Sequence, residues 1–290
     1  MPRVSIIIPT YNQADLLQAC LESVFAQSYT DFEAILVNNF STDATAEVAD
    51  QFAQAHPDQF RRIDFANGGS IAAGRNRGAS EAQGEWLAFL DSDDLWEPQK
   101  LERCLAALGS ADFGCHPVFL LREGHREGES GWVDQKKLKY GPYLFAGNRV
   151  VTSTVMVRKT SFEALGGFDE SAELITAEDW DLWLRLLRDG ARAVVVPELL
   201  GSYRIHSGGN SNKVELHFKA GWRVFENHFA QLPDATAQQR RRAEALHLYG
   251  AGRKFLSLGE KASGRAYLLR SLKLNPLYVK AWVSLAQALV

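Results

Sequence analysis

Short apolar runs alternate with helix-period patterns through the first 110 residues of the chain. Residues 4–8 are a β-branched run, which is typical of a strand buried on both faces. Residues 16–25 instead place apolar side chains at helical spacing. Further strands are predicted over residues 34–37, 62–65 and 86–90, and further helices over 44–55, over 71–82 and from near residue 98. This alternation predicts an α/β fold with a mostly parallel, doubly wound sheet, whose ligands bind at the carboxyl ends of the strands.

The rest of the chain is less regular and becomes helical towards its end. Strands are predicted over residues 113–121, 150–157 and 193–196, a helix over 177–188, and helix throughout from about residue 216. Gly259, Ala266 and Pro276 stand at spacings that resemble a tetratricopeptide repeat, of which only about one and a half copies fit. A plain helical hairpin is the alternative interpretation. We expect this all-helical extension, residues 213–290, to pack against the domain before it.

Composition and charge indicate a globular protein that does not bind nucleic acid. Apolar residues make up 46% of the chain, and the formal net charge of −3 gives no basic surface for a phosphate backbone. Cys20, Cys104 and Cys115 show no metal-ligand spacing. Cys20 and Cys104 stand at apolar positions of helical patterns, and we interpret these two as buried thiols of a reducing compartment. No apolar run reaches the roughly 18 residues that span a bilayer. We therefore expect a cytoplasmic protein. Peripheral contact with the inner membrane face, or a protein partner for the helical tail, stays open.

A dense group of carboxylates follows the strand predicted at residues 86–90. Asp91, Asp93 and Asp94 are three acids within four residues, with Ser92 between them. Like charges this close raise one another's pKa unless a cation compensates them. Oxygen-rich groups are what Mg²⁺ and Mn²⁺ prefer, usually together with substrate phosphates. The alternative is a cap for the helix near residue 98, but a cap needs only one such residue.

Two common phosphate-binding motifs are missing where they would be needed. A dinucleotide-binding fold requires a glycine-rich turn after the first strand, and residues 9–11 there read Pro-Thr-Tyr. Gly69 and Gly74 have the spacing of a phosphate-binding loop, but Arg75 stands in place of its lysine. A diphosphate bridged by a metal ion is the interpretation that remains.

A second acidic segment opens the helix predicted over residues 177–188. Thr176 and Asp179 have the spacing of a capping box, and Asp181 and Arg185 that of a surface ion pair. Alternatively, Asp179 is a general base, a role that needs a carboxylate held beside a substrate hydroxyl. A helix N-terminus holds such a group firmly and tends to keep it ionised.

A third segment, residues 203–211, is an alternating strand that leads into a glycine-rich loop. It contains a cation, Arg204, and an imidazole, His206. A single histidine is usually structural, but it can also ligate a metal or donate to a phosphate.

Together these segments resemble glycosyltransferase family 2, the inverting enzymes of the GT-A fold, over roughly residues 3–210. Residues 4–12 are similar to the family's opening strand and base-binding loop, and residues 91–94 stand at its aspartate-x-aspartate position. The other matching motifs, in the family's order, are Ser41-Thr42-Asp43, Arg75-Asn76-Arg77-Gly78 with Gly84-Glu85, Gly166-Gly167-Phe168-Asp169, Glu178-Asp179 and Tyr203-Arg204-Ile205-His206. Each motif is weak alone, but the ordered series is specific.

The resemblance implies an enzyme that uses a nucleoside-diphosphate sugar and a divalent cation, Mn²⁺ or Mg²⁺. It implies that Asp93 binds the metal with Asp91 and His206, and that Asp179 is the catalytic base. The nucleotide-binding residues it implies are Pro9, Thr10, Tyr11, Asn38, Asn39, Arg75, Asp91 and Ser92. The residues it implies on the acceptor side are Glu178 and Trp180.

The resemblance also implies an organisation and an activity. Residues 1–212 would form the catalytic domain, a Rossmann-like nucleotide-diphospho-sugar transferase fold with a nucleotide-binding half, 1–110, and an acceptor-binding half, 111–212. The expected activity is inverting, hexosyltransferase-type transfer to a hydroxyl of a glycan or glycolipid, as in polysaccharide biosynthesis. Because the Q-x-x-R-W motif of processive members is absent, we expect one sugar per event.

The segment after the second strand departs from the family pattern. The family usually has an aspartate there that accepts from the N–H of the base, whereas this chain has Asn38 and Asn39. An amide oxygen can accept the same bond without charge assistance. A UDP-sugar is still favoured, and dTDP- or GDP-sugars stay open.

Two other functions compete with sugar transfer. A sugar nucleotidyltransferase would normally carry a glycine-rich, basic phosphate loop after its first strand, where residues 9–11 contain neither glycine nor a cation. A non-catalytic nucleotide-sugar-binding scaffold would use its helical tail to bind a partner and would not need its acidic residues. The intact Asp91, Asp93 and Asp179 argue against that second alternative.

Overall fold

The computed structural model describes residues 2–206, 208–209 and 212–288. These residues divide into two compact units. The first unit comprises residues 1–139, 149–170 and 185–206, and the second comprises residues 140–148, 171–184 and 207–290, in each case as far as they are described. The domain boundary that we placed at residue 212 stays a prediction.

The strands and helices of the described residues follow the expected alternation in the first third of the chain. The strands are β1 (Val4–Thr10), β2 (Phe32–Asn38), β3 (Phe60–Asp64), β4 (Trp86–Phe89), β5 (Leu95–Trp96), β6 (Phe113–Cys115), β7 (Val118–Arg122), β8 (His125–Ser130), β9 (Met156–Arg158), β10 (Ala193–Val195) and β11 (Gly201–Arg204). The helices are α1 (Ala14–Phe25), α2 (Thr45–Ala55), α3 (Ile71–Glu81), α4 (Lys100–Leu108), α5 (Tyr140–Ala146), α6 (Lys159–Ala164), α7 (Glu178–Arg188), α8 (Val214–Phe229), α9 (Ala237–Ser257), α10 (Lys261–Leu274) and α11 (Val279–Gln287).

A seven-stranded, mostly parallel sheet forms the centre of the first unit, in the order β10-β6-β9-β4-β1-β2-β3. Strands β1, β2, β3 and β4 run parallel, and so do β6 and β10, while β9 is antiparallel to both of its neighbours. Every residue of β1 and β2 is buried, which explains their continuous apolar runs. The predicted α/β class and parallel sheet are therefore confirmed, and the arrangement is that of a GT-A fold.

A smaller four-stranded sheet, in the order β5-β11-β7-β8, completes the first unit. Strand β11 pairs with β7 in parallel and with β5 in antiparallel orientation. The single strand predicted over residues 113–121 is wrong, because β6 and β7 belong to different sheets. Pro117 lies between them, and proline cannot donate a hydrogen bond to a strand ladder.

The strand predicted over residues 150–157 is also wrong for most of its length. A 3-10 turn covers Thr152–Thr154, and only Met156–Arg158 form a strand, β9. The turn brings Ser153 to the end of β4, where its hydroxyl accepts a hydrogen bond from the backbone N–H of Asp91 at 3.1 Å. The 3-10 turn that interrupts the strand therefore places a hydrogen-bond partner beside the acidic segment, residues 91–94.

The second unit is largely helical. Helices α9 and α10 approach closely at Gly252 and Gly264, where a Cβ atom on Gly264 would lie 2.5 Å from a methyl carbon of Leu256. Helix α9 ends before Gly259, which has a φ of +81°. Helix α11 packs on α10 through Leu268, Leu272, Ala281 and Leu285. The predicted helical extension is confirmed. The resemblance of part of it to one and a half tetratricopeptide repeats stays a prediction.

Across the described residues, every helix is either too short or too polar to cross a membrane.

Candidate active site

The carboxyl ends of β1, β2 and β3 lie side by side, because these strands are parallel and in register. Thr10 pairs with Asn38, and Asn38 pairs with Asp64. Pro9 and Thr10 are buried, whereas Tyr11 is 53% exposed. Among the described residues, the buried Thr10 Oγ1 has no hydrogen-bond partner. A buried hydroxyl without a partner at this edge is suited to bind a ligand.

Hydrogen bonds tie the loop after β1 to the loop after β2. The N–H of Asn12 donates to Ser41 Oγ at 2.9 Å, and the N–H of Thr42 donates to Asn12 Oδ1 at 2.8 Å. Burial raises the pKa of Asp43, but hydrogen bonds from Thr45 and from the N–H of Ala14 outweigh it, so that the pKa is lowered overall. An ionised Asp43 thus holds the start of α1 in place beside Tyr11.

The two asparagines after β2 already have hydrogen-bond partners. Asn38 donates to Asp64 Oδ1 at 2.7 Å, and its own Oδ1 accepts from both the N–H and the hydroxyl of Ser41. Asn39 Oδ1 accepts from the N–H of Asn67 at 3.0 Å. Since an amide oxygen has two lone pairs, a contact from Asn38 Oδ1 to a nucleobase N–H would compete with Ser41. The predicted base contacts of Asn38 and Asn39 stay predictions.

Arg75 and Asp91 form a buried ion pair at the end of β4. The Arg75 side chain is 3% exposed and donates from Nη2 to Asp91 Oδ1 at 2.6 Å. Its guanidinium carbon lies 5.3 Å from the centre of the Phe168 ring. The Asp91 side chain is 25% exposed. One of its oxygens is therefore used by the protein, and the remainder of the carboxylate can reach a ligand.

Asp94 is a structural member of the acidic segment. It is buried, and its two oxygens accept from Ser153 Oγ at 2.5 Å and from the N–H of Arg204 at 3.0 Å. Burial, followed by the charges of Asp93 and Asp91, raises its pKa well above the ordinary value. The alternative that an acidic residue of this segment caps the next helix is wrong, because Gln99 precedes α4 and no side chain caps that helix. Ser92, a predicted nucleotide contact, is buried as well.

Asp93 and His206 are brought together by the ends of β4 and β11. Asp93 Oδ2 lies 2.9 Å from His206 Nε2, and the two side chains are 26% and 23% exposed. Burial and the charge of Asp91 raise the pKa of Asp93, and the hydrogen bond to His206 opposes this rise. The arrangement favours the arrival of a positive charge beside Asp93.

Those two side chains fit a divalent cation that substrate phosphates help to hold. Within the described residues, no three His, Cys, Asp or Glu side chains are grouped so that they could hold a metal ion alone. Mg²⁺ is commonly bound by one or two carboxylates together with substrate phosphates. The partly exposed carboxylate of Asp93 satisfies that requirement, and the imidazole of His206 can serve as a further ligand. The assignment of Asp91, Asp93 and His206 as metal ligands stays a prediction.

Asp179 lies in the first turn of α7, in the second unit, and is held from two sides. Asn148 Nδ2 donates to its two oxygens at 3.1 and 3.2 Å, and the N–H of Trp180 donates to Oδ1 at 2.6 Å. The hydroxyl of Tyr143 in turn donates to Asn148 Oδ1 at 2.8 Å. This chain of bonds fixes a carboxylate in an orientation that a general base requires. Because Asp93 belongs to the first unit, their facing one cavity stays a prediction.

The structural alternatives for the start of α7 are wrong. Thr176 has a φ of +81°, and its buried hydroxyl has no partner among the described residues, so it does not form a capping box. Asp181 is not at the surface. It is buried, and its Oδ1 lies 3.0 Å from Nε2 of His228. Arg185 donates to the backbone oxygens of Leu165 and Gly167.

Glu178 and Trp180, the predicted acceptor-side residues, are both buried. The Trp180 ring lies 5.3 Å from the ring of His247. These surroundings are those of a packed interior, and contact of either residue with an acceptor stays a prediction.

Four contacts around the predicted site residues could not be predicted from the sequence. They are made by Tyr143, by Asn148, by Ser153 and by the backbone N–H of Arg204, which donates to Asp94. Asn148 stands 31 positions from Asp179, and Ser153 stands 59 positions from Asp94. Contacts over such separations leave no local period or motif, so the sequence offers no signal for them.

Comparisons with known proteins identify the family of the chain. The model of the family described as "Glycosyl transferase family 2" matches residues 5–163, and that of "Glycosyl transferase family group 2" matches residues 86–286. A "PGL/p-HBAD biosynthesis glycosyltransferase" of Mycobacterium bovis (strain BCG / Pasteur 1173P2) is 32% identical over 221 residues, which are 73% of this chain and 80% of that protein.

Two solved structures share the fold. S. aureus TarS 1-349 in complex with UDP-GlcNAc has a TM-score of 0.65 and 19% identity, over 94% of this chain and 81% of that one. Mannosyltransferase PcManGT from Pyrobaculum calidifontis, in complex with GDP-Man and Mn²⁺, has a TM-score of 0.64 and 20% identity, over 99% of this chain and 80% of that one. The family model covers more than half of the 290 residues, and the chain therefore belongs to glycosyl transferase family 2.

Proposed function

We propose that this glycosyltransferase moves one hexosyl residue from a nucleoside-diphosphate sugar to a hydroxyl of a glycan or glycolipid, with inversion at the anomeric carbon. The observation that carries the proposal is the Asp93–His206 pair, 2.9 Å apart and partly exposed at the carboxyl edge of the sheet. That edge is where doubly wound sheets bind their ligands. The similar folds of TarS and PcManGT, in complex with UDP-GlcNAc and with GDP-Man and Mn²⁺, support a nucleotide-sugar donor.

The donor would be held by the ends of the parallel strands. The unpartnered Thr10 hydroxyl and the exposed Tyr11 ring are suited to the nucleoside, and Arg75 keeps Asp91 in position through its 2.6 Å ion pair. Asp93 and His206 would hold the divalent cation. When bound, such a cation offsets the negative charge that develops on a departing diphosphate.

Asp179 would act on the acceptor. Its carboxylate takes the proton of the acceptor hydroxyl while the hydroxyl oxygen forms a bond to the anomeric carbon. The bond from that carbon to the diphosphate oxygen breaks, and the nucleoside diphosphate leaves with the electron pair. A single displacement of this kind inverts the anomeric centre. Asn148, which donates to both oxygens of Asp179, would hold the carboxylate of this base in a fixed orientation.

The nucleobase and the compartment are parts of the same proposal. We favour a UDP-sugar. The dTDP- and GDP-sugars stay competitors, because Asn38 stands where the family usually has an aspartate. Cys20, Cys104 and Cys115 are free and buried, which agrees with a reaction in the reducing cytoplasm.

A screen of nucleotide sugars tests the proposal. The purified chain is incubated with UDP-, dTDP- and GDP-sugars, with and without Mn²⁺, and release of nucleoside diphosphate is measured. We expect release from one donor class that depends on the cation. Asp179→Asn should lower turnover by about 10²–10⁴-fold and leave donor affinity almost unchanged. The matched control is Asp58→Asn, at an exposed aspartate between α2 and β3, which should behave as the unaltered protein.

Two results would contradict the proposal. Full activity of Asp179→Asn would remove Asp179 from the role of base. Absence of release with every donor, together with a Mn²⁺-dependent rise in melting temperature on adding a nucleoside diphosphate, would indicate a non-catalytic binding protein.

A further inference from the structure

Charge is strongly segregated along the chain. Residues 213–290 contain 13 Lys and Arg against 5 Asp and Glu, a net charge of +8, whereas residues 1–212 contain 19 against 30, a net charge of −11. The last part of the chain is more extreme, because residues 261–290 contain five Lys and Arg and no carboxylate. The overall net charge of −3 hides a basic helical region inside an acidic protein.

The same region exposes apolar side chains on α10, on α11 and in the turn that joins them. Leu277 is 88% exposed, Val279 is 70% exposed, and Trp282 and Val283 are each about half exposed. Trp282 Nε1 donates to the backbone oxygen of Pro276 at 2.8 Å, which ties the indole to the turn. The opposite face of α11 is buried on α10. These exposed residues are therefore not needed for the packing of the helices themselves.

Cations lie among these apolar residues. On α10, the exposed Lys273 is four positions from the exposed Leu269, and on α11 the exposed Lys280 is three positions from Val283, so that each cation shares a helix face with an apolar residue. Arg270, three positions from Lys273, is exposed as well. The exposed residues of this α10–α11 surface are Leu269, Arg270, Lys273, Leu277, Val279, Lys280, Trp282 and Val283. Apolar residues with tryptophan on one side and lysine or arginine around them are the features of helices that lie on anionic membranes.

We propose that the α10–α11 surface docks on the anionic headgroups of a lipid bilayer. Two copies of the chain joined by this surface across a two-fold axis would bring Arg270, Lys273 and Lys280 of both copies together, with no carboxylate in residues 261–290 to compensate them. A bilayer with anionic lipids supplies both the negative charge and an apolar layer for Leu277 and Trp282. Charge complementarity thus favours a membrane over a two-fold dimer formed through this surface.

Vesicle co-sedimentation of the full chain tests this docking without any sugar donor, so its result is separate from that of the proposed reaction. The chain is mixed with vesicles of phosphatidylcholine alone and with vesicles of phosphatidylcholine and phosphatidylglycerol in equal parts. We expect binding only to the second kind. Binding should weaken when NaCl rises from about 0.1 M to about 1 M, since the screening length falls from about 10 Å to about 3 Å.

Two sets of substitutions locate the surface. Arg270→Glu, Lys273→Glu and Lys280→Glu together should weaken binding by about 10²-fold or more, because each basic residue near an anionic surface contributes roughly fivefold. The same charge change at three exposed lysines of the first unit, Lys136, Lys137 and Lys139, is the matched control.

The apolar residues are tested in the same way. Leu277→Ser with Val279→Ser should also weaken binding to the vesicles. Leu216→Ser with Leu258→Ser, at leucines that are 41% and 40% exposed, is the matched control and should not weaken it.

Three results would overturn the docking proposal. One is no binding to the anionic vesicles at low salt. Another is equal loss of binding in the Lys136, Lys137 and Lys139 control. The third is light scattering that shows a dimer of the unaltered chain which Leu277→Ser with Val279→Ser dissociates, because the surface would then be covered by a second copy. Unchanged circular dichroism and melting temperature of each variant show that a loss of binding is not a loss of folding.

Discussion

At the scale of single residues, Asn148 is the side chain whose contacts say most about the proposed base. It donates to both oxygens of Asp179, and hydrogen bonds to charged groups contribute about 1.5–3 kcal/mol each. Asn148→Ala should therefore lower kcat by about 10–10²-fold while KM for the donor stays nearly constant. Tyr143→Phe, which removes the hydrogen bond to Asn148 Oδ1, should also lower kcat, by a smaller factor. Steady-state kinetics measures both.

A merely structural role of Asn148 would give a different result. In that case Asn148→Ala would lower the melting temperature and change kcat only in proportion to the folded fraction. Asn148→Asp provides the second comparison, because it keeps the shape of the side chain and puts a like charge beside Asp179. It should be at least as inactive as Asn148→Ala. A fully active Asn148→Asp would contradict the positioning role.

Ser153 is the residue on which the buried carboxylate of Asp94 depends. Its hydroxyl donates to Asp94 at 2.5 Å and accepts from the N–H of Asp91 at 3.1 Å. Ser153→Ala leaves a buried acid without one of its donors and should cost about 1–3 kcal/mol of unfolding free energy. Urea denaturation measures the change. Ser80→Ala, at an exposed serine of α3, should stay within about 0.5 kcal/mol of the unaltered protein.

These residues show what a sequence can and cannot indicate about a site. Asp91, Asp93 and Asp94 could be predicted as a group because they follow a buried strand directly and repeat within four residues. The partners that give each acid its role could not be predicted. Ser153 and Arg204 reach Asp94 from elements 59 and 110 positions away, and only the paired strands bring them there.

At the scale of secondary structure elements, the close contact of α9 with α10 gives a sharp prediction. A Cβ atom on Gly264 would lie 2.5 Å from Leu256 Cδ2 and 3.1 Å from the backbone oxygen of Gly252. Gly264→Ala should therefore destabilise the second unit by about 1–3 kcal/mol. At Gly250, also within α9, a Cβ atom would meet nothing within 4 Å, so that Gly250→Ala should stabilise it by about 0.5–1 kcal/mol.

Thermal unfolding followed by circular dichroism compares the two alanine variants. Both make the same chemical change inside the helical unit, so helix propensity affects them equally and only the packing differs. If both variants were stabilised alike, α9 and α10 would not be as close as described.

Elements could be predicted where burial leaves a pattern. Strands β1 and β2 are buried along their whole length and appear as apolar runs. Strand β8 has no such pattern, because five of its six residues, His125–Ser130, are exposed and none of the six is a large apolar residue. Its pairing with β7 is held by backbone hydrogen bonds. The polarity of the side chains does not indicate where such bonds form. The hairpin was therefore missed.

At the scale of the whole molecule, two histidines whose pKa is lowered in the folded protein should set the lower pH limit of stability. Burial, with a smaller effect of Lys100, lowers the pKa of His116 to about 3. Burial, with a smaller effect of His217, lowers the pKa of His247 to about 4. One lies in the first unit and the other in the second, so both units should respond to acid.

The direction follows from proton uptake. Below pH 6.5, the ordinary pKa of histidine, the unfolded chain binds protons that the folded chain cannot yet bind, so the free energy of unfolding falls as pH falls. The loss should extend down to about pH 4 for His247 and to about pH 3 for His116. It should proceed at up to roughly 1.4 kcal/mol per pH unit for each imidazole. Urea denaturation between these pH values measures the slope. His247→Leu should make it shallower by about one proton, whereas His125→Gln, at an exposed histidine, should leave it unchanged. A slope that His247→Leu does not alter would mean that His247 does not contribute to the acid sensitivity.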